Sequence, residues 1–490
     1  MKKIVISLAA AMATTGSALA GGLNTNTNAN AAYLRFFAQE ANITLTSLYA
    51  NPAGSAFLSK GWHFGIHDQI ATQRRNITTQ FPLFAYNQSQ GWVDANGAHT
   101  YEGKAFAPLI PSIDFSYNSG KKWSINAHLG VVGGGGACEY LDGIGSFETM
   151  YASQFYQNSA AVAGKLNSAV QSVAGVNPDY QYNGYSVNSY MRGSNFAFGL
   201  QVGATYKITD NLAVFGGVRA IYATATYNGY VQDATLHYTT KYANDQTPMG
   251  QAVYAGLKAA GVDTYAQNAG ADLSMNCDQT GYGVTPLLGI HWTINKHWNL
   301  AAKYEFKTKI RMKNTTRMNN YTKQLAATNP VLGQFADGAS VADDMPGYLA
   351  VGTQYSPIEN VRIGLGYHWI QETKATKYNN KQDLIDNDTH EILASVEWRC
   401  HKYITVSGGW QKTMYGVSDA GMNDVSFNCS NNSMGLGVRI HPSKLFNIDL
   451  GYMHTFYQDR TVTTPTAAGN KIDTYSRKND VVGIGLNFAW

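Results

Sequence analysis

Six basic residues, Arg219, Lys303, Lys307, Arg362, Arg399 and Arg439, occupy alternate positions that turn away from the oily side chains around them. Four acids, Asp114, Glu305, Glu397 and Asp449, share that parity. Charges gathered on one face of a sheet have two uses. They pair with each other in a buried lattice, or a cation at the end of an apolar pocket receives the carboxylate of an amphiphile. On the second reading Arg219, Lys303, Lys307 and Arg362 are the ligand-binding candidates; on the first, each is a brace. His63, His67 and His128 face the same way, but their spacing matches no metal site, so no metal is expected. There is no nucleophile motif with a His and an orienting acid, and no glycine loop for a nucleotide. The reading is therefore not an enzyme, with no cofactor and no built-in energy coupling.

These side chains need elements that alternate. In Leu300 to Lys307 one face carries Leu, Ala, Tyr and Phe and the other Ala, Lys, Glu and Lys. The same period of two runs through Trp62–Ile66, Ile113–Tyr117, Trp123–Val131, Phe196–Tyr206, Leu212–Tyr222, Val284–Trp292, Leu349–Tyr355, Val361–Trp369, Ile392–Trp398, Ile404–Trp410, Met434–Ile440, Phe446–Tyr452 and the final Val482–Trp490. That makes fourteen strands. Short turns, such as Thr209-Asp210-Asn211 and His401-Lys402, alternate with long polar excursions at roughly 76–106, 138–194, 231–281, 312–346, 373–390, 417–431 and 458–480. Charged residues are only 14% of the chain, against the usual quarter of a soluble domain, and aromatics are 12%. Something other than charge must cover the outside. In hydrocarbon no backbone polar group can be left unpaired, so a sheet that spans must close on itself. The fold class expected is all-β: a 14-stranded antiparallel transmembrane β-barrel, its aromatics at the strand ends forming interfacial girdles. Outer-membrane lipid is then its surroundings. The net charge of +4, two of it from Lys2 and Lys3, and the lack of a basic block argue against nucleic acid.

Residues 1–20 read as a secretory signal peptide, with Lys2-Lys3, an apolar run from Ile4 to Ala13 and a small-residue cleavage site at Ala18-Leu19-Ala20. Residues 21–60 do not alternate, yet they hold Leu34, Phe36, Phe37, Ile43, Leu45 and Leu48, which need burial. This segment is expected to fold into the barrel as a hatch, with 61–490 as the barrel. In it Asn51 is a helix cap and Pro52 a first helical residue, ahead of Ala53 and Gly54.

Asn51-Pro52-Ala53 before a fourteen-strand pattern resembles the FadL/TodX family of outer-membrane transporters for hydrophobic compounds. GYGVTPLLGIHWTINKHWNLAAKYEFKTKIRMK, PGYLAVGTQYSPIENVRIGLGYHW and MGLGVRIHPSKLFNIDLGYMHTF resemble its middle, following and penultimate strand pairs. The resemblance covers roughly residues 45–490. It implies a Gram-negative outer-membrane protein, monomeric, built by the barrel assembly machinery. It also implies passive passage of a hydrophobic ligand, a fatty acid or an aromatic hydrocarbon, past the hatch. Exit is lateral, through a kink in the third strand. Gly133, Gly134, Gly135 and Gly136 lie on the matching strand. They read as that kink or as a loose strand end entering its loop. Helices are expected in the loops at Phe147–Val173 and Gln251–Ala260, their apolar faces packing together or lining a groove. A general porin and a surface-binding adhesin barrel are the alternatives. Of the four cysteines, Cys400 lies near a short turn and should be free. Strand direction allows one bond among Cys138, Cys277 and Cys429, with Cys138–Cys277 the choice.

Overall fold

The computed structural model describes residues 30–89, 92, 96–268, 272–328 and 330–490; residues 1–20, read as a signal peptide, and the start of the segment 21–60, read as a hatch, lie outside them. Nineteen strands form one sheet: β1 (Gly61–Gln80), β2 (Ala98–Ala107), β3 (Ser112–Asn118), β4 (Trp123–Tyr140), β5 (Tyr180–Thr209), β6 (Leu212–Thr240), β7 (Thr264–Asn268), β8 (Leu273–Thr293), β9 (Trp298–Glu305), β10 (Arg311–Met318), β11 (Ser340–Ala342), β12 (Gly347–Ile358), β13 (Val361–Gln371), β14 (Ile385–His401), β15 (Ile404–Val417), β16 (Asn431–Ile440), β17 (Phe446–Tyr457), β18 (Arg460–Thr466) and β19 (Gly469–Ala489). The wall has fourteen antiparallel strands: β2 and β3 are two pieces of the second and β9 and β10 of the seventh, while the short β7, β11 and β18 continue the ladders of β8, β12 and β17. It closes where β1 meets β19, paired without a break from His63–Ala489 to Gln80–Ile472. Among the described residues five α-helices, α1 (Ala31–Arg35), α2 (Gly145–Ala174), α3 (Pro248–Ala259), α4 (Asn320–Thr328) and α5 (Pro330–Gly333), lie in the first segment and the long loops. Among the described residues no helix is long and apolar enough to cross a membrane; the strands do that.

Alternation sorts the two faces. On β19, Val482, Ile484 and Phe488 are exposed while Gly485 and Asn487 are covered. Trp62 packs on Tyr117 and Trp298 on Tyr355, ring centres 4.4 Å apart in each pair, at the short-turn rim where an aromatic girdle belongs. At the opposite end the wall stands far above the band. β5 is 30 residues long, and about 9–11 residues cross a membrane, so most of it lies outside. The excursions 138–194 and 231–281 thus include paired strand, at 180–194 and 231–240, beside the helices α2 and α3. There the outer face meets water rather than lipid, and the backbone ladder continues without the oily rungs that mark it in a sequence.

All four cysteines are free thiols, which corrects the Cys138–Cys277 pairing. Cys138, Gly193, Tyr227 and Cys277 sit in one row across β4, β5, β6 and β8. Three strand steps of about 4.8 Å put the sulfurs' backbones roughly 14 Å apart, twice the reach of a disulfide.

Candidate functional site

Residues 30–58 are packed inside the barrel. Asn30 caps α1, accepting from Tyr33 N–H (3.1 Å) and donating to Thr46 O (2.7 Å). The helix lies so close to the wall that a Cβ on Gly435 would stand 2.0 Å from Leu34 O; only glycine leaves that room. Leu34, Phe36 and Phe37 pack with Leu393, Met453 and Val481. Arg35 donates to Asp449 Oδ1 (2.8 Å), Glu397 Oε2 (2.5 Å) and Ser407 Oγ (2.8 Å). Further on, Glu40 Oε1 meets His368 Nε2 at 2.7 Å, and His368 Nδ1 meets Glu391 Oε2 at 2.8 Å.

The second half of the segment is tied to the opposite wall. Tyr49 lies between two cations, Arg219 Cζ 4.7 Å and Lys303 Nζ 4.8 Å from its ring centre. Asn51 accepts from Ala53 N–H (3.1 Å), capping the short turn Pro52–Phe57, and its amide donates to Ile290 O on β8 (2.9 Å). Ala53 is buried against Phe215 and Leu287. Gly54 has Asn42 O 3.0 Å from where a Cβ would stand. Asn118 donates to Ser55 O, Ala56 O and Leu58 O.

The four candidate cations are all engaged. Arg219 Nη1 reaches both oxygens of Glu305 at 2.6 Å. Lys303 donates to Tyr49 O (2.7 Å) and stands 3.9 Å from Glu305. Arg362 pairs with Glu397. Lys307 falls between β9 and β10, donating to Lys374 O (3.0 Å) with Asp344 at 3.6 Å. Parity located Arg219, Lys303 and Arg362 on the inner face; only the register shows Glu305 beside Arg219 and Glu397 beside Arg362.

The four glycines lie where the wall is irregular. Ladder pairing of β4 with the second wall strand ends at Gly130–Ser112 and resumes at Cys138–Ala105. Residues 131–137 have no ladder partner on that side. On the other side the register with β5 slips twice, between Val131 and Gly133 and between Gly134 and Gly136. Gly134 has φ +100° and Gly136 φ +76°, backbone that side-chain residues rarely adopt. Phe106 and Leu109 are more than half exposed on the outer edge of the break, and Val132 is buried on its inner side.

In the long-loop half of the molecule an apolar pocket of about 500 Å³, its mouth included, is lined by Phe147, Met191, Tyr227, Leu273, Leu332 and Phe335. Helix α2 supplies Phe147. The next residue, Glu148, is buried and accepts from Tyr185 Oη (2.5 Å) and Asn87 Nδ2 (2.6 Å). Burial pushes the Glu148 carboxyl up to about 7, against the pull of those two hydrogen bonds. An unfolded chain ionises it near 4.5, so folding holds a proton between there and about 7. The cap formed by α2 is expected to be most stable in acid and to lose stability as pH rises through about 7. Amide exchange of residues 145–160 at pH 5.5 and 8.5 measures this, and Glu148→Gln should flatten the difference.

No family model and no curated protein matches this chain. Solved structures do. A FadL homologue from Pseudomonas aeruginosa aligns at 13% identity and TM-score 0.60, over 96% of this chain and 100% of that one. The chain has the fold of FadL. The toluene transporter TodX of Pseudomonas putida aligns at 14% identity and TM-score 0.52, over 91% and 95%. The Ralstonia pickettii toluene transporter TbuX aligns at 15% and 0.51, over 96% and 99%. Sequence reasoning about this FadL-like barrel missed Arg35 and Glu40. Their one signal is charge beside the apolar Leu34, Phe36 and Phe37.

Proposed function

We propose that this protein is a passive outer-membrane transporter of hydrophobic or amphiphilic small molecules, with a hatch in the lumen and lateral release through the wall. The observation that carries it is the break in β4: an apolar pocket stands above a filled lumen, and beside it lies a stretch of wall with no ladder partner. A ligand that cannot pass straight down has a side exit toward lipid, between 131–137 and the 106–111 edge. In this reading residues 21–60 are the hatch, the Asn51-Pro52-Ala53-Gly54 turn its anchor, and Gly133–Gly136 the hinge of the opening. Export by residues 1–20 and insertion by the barrel assembly machinery would place it, as a monomer, in the outer membrane of a Gram-negative cell. Fatty acids and aromatic hydrocarbons both suit the pocket, and FadL-fold relatives carry toluene.

Two measurements on detergent-purified protein test this. Mass spectrometry of the native protein is expected to find a bound amphiphile or hydrocarbon, and liposomes carrying it are expected to swell slowly in sugars. Deleting residues 21–55 should raise sugar influx several-fold. Rapid sugar influx by the intact protein with nothing bound would make it a general porin instead.

A further inference from the structure

A row of cations crosses the closing seam on the outer face of the wall. Arg74 on β1 is the register partner of Lys104 on β2 and of Lys478 on β19. All three are exposed, on the parity of Ile70, Phe106 and Val482, the oily outer rungs nearest them on the same strands. Side chains directly opposite each other on one face have Cβ atoms about 5 Å apart, and like charges there destabilise the sheet. Three cations in successive positions carry that cost twice. The fold offers little against it. Among the described residues neither Arg74 nor Lys478 enters an ion pair, and Lys104 stands 3.7 Å from Glu102 with both side chains more than 60% exposed, a pair that contributes little in water. The acid in the row is Glu139 on β4, which lies between Lys104 and Arg192 in the register and accepts from Tyr190 Oη (2.5 Å). One position nearer the membrane Asp480 accepts from Tyr452 Oη (2.7 Å) and meets His454 Nδ1 (2.7 Å).

The row lies at the edge of the lipid band, on the long-loop side. Arg74 is four residues beyond Ile70 and Lys478 four before Val482, and those two oily rungs are partners in the seam. Four residues are about 13 Å of strand, which a tilt of roughly 40° brings to about 10 Å above that rung. Phe106, 61% exposed, is two residues from Lys104 on the membrane side, and Phe456, 53% exposed, extends the row beyond Lys478. Aromatic rings among cations mark the headgroup level of a membrane, and long basic side chains lean toward it. Two strand steps make the row about 10 Å wide, more than one phosphate group bridges. We propose that Arg74, Lys104 and Lys478 form a docking surface on the outer wall for an outer-leaflet lipid whose headgroup carries more than one phosphate monoester. This rests on the outer-membrane placement and not on what the lumen passes. Each monoester carries about −1.5 to −2 near neutral pH, so two of them match three cations, where a zwitterionic or singly charged lipid leaves a surplus. Guanidinium and ammonium groups both donate strongly to phosphate. The docked lipid ties β2, β1 and β19 together across the seam.

Native mass spectrometry of the full-length protein in detergent tests this, with lipid A, its monophosphoryl derivative and phosphatidylglycerol offered in equal amounts. The wild type is expected to retain lipid A at least tenfold over either of the others. Arg74→Gln combined with Lys104→Gln and Lys478→Gln should lower that retention about a hundredfold, at the usual contribution of each cation facing anionic lipid. Heat-modifiable gel mobility reports that the variant barrel is closed, and lipid A should raise the temperature of that transition in the wild type alone. If the variant does not close, the wild-type order of the three lipids decides. Retention of either comparison lipid at the level of lipid A, or a closed triple variant that keeps lipid A as the wild type does, overturns the docking surface. Density-gradient fractionation of the cell envelope checks the placement separately. Recovery outside the outer membrane overturns that reading and the docking surface with it, whereas outer-membrane recovery without a lipid A preference overturns the docking surface alone.

Discussion

Arg35→Ala is expected to turn a quiet barrel into a leaky one, seen as sustained high-conductance openings in planar bilayers where the wild type stays near baseline. Arg35 is the point at which the hatch segment grips the wall, with a forked contact to Asp449 and Glu397 and a third bond to Ser407. Losing a hydrogen bond to a charged group costs roughly 1.5–3 kcal/mol, and Arg35 makes two such bonds. Here Arg439 still faces Asp449 and Arg362 still faces Glu397, so the barrel keeps its own neutral pairs and the loss falls on the hatch. Arg35→Lys retains the charge without the fork and should leak to an intermediate degree. Unchanged conductance in Arg35→Ala would mean that the apolar packing of Leu34, Phe36 and Phe37 seats the segment without the cluster.

The second large effect is expected from straightening β4. Val132 and Gly135 are the extra residues at its two register slips, each standing between consecutive partners on β5. Deleting both lets 131, 133, 134 and 136 pair as an ordinary strand, with no bulge to bend it. The edge toward the second wall strand would then come within ladder distance. Uptake of a hydrophobic probe into cells or lipid vesicles should fall by tenfold or more, while probe binding in detergent persists. Gly134→Ala bears on the same point from the other side, since its Cβ would stand 2.4 Å from Asn195 O and would force the backbone to shift. Uptake at the wild-type rate in the double deletion would remove the side exit.

Where the sequence was legible, lipid made it so. Inside the membrane band each strand must show hydrocarbon one face and the lumen the other, and fourteen segments carry that mark. β5 and β6 lose it above the band, where Tyr180–Ser194 and Val231–Thr240 stay paired, with register slips at Tyr182/Gly184 and Ser186/Asn188, but have water outside. That is why they read as loop. The same blindness hid the buried arginine pair of the seam: Arg75 lies on the part of β1 beyond the alternating Trp62–Ile66, and Arg477 on the part of β19 before Val482. Inner-face cations within the band were found by parity, but parity gives a direction and not a neighbour. Glu305 beside Arg219 depends on which strands adjoin and by how many residues they are offset. The hatch segment was visible as an absence of alternation combined with too many apolar side chains to leave wet. Its grip on the wall, through Arg35, Glu40 and Tyr49, lies in contacts hundreds of residues apart.

The seam has a consequence for how the molecule is made. Its ladder joins His63 to Ala489, so these contacts span nearly the whole chain, and a fold dominated by such distant partners forms slowly. The entropy of closing so long a loop grows only with the logarithm of its length, so the penalty falls more on the rate than on the final stability. Until that ladder forms, β1 and β19 are both raw edges, each a template for a stray strand. Shielding those two edges during the wait is thus a kinetic demand that the finished cylinder no longer displays.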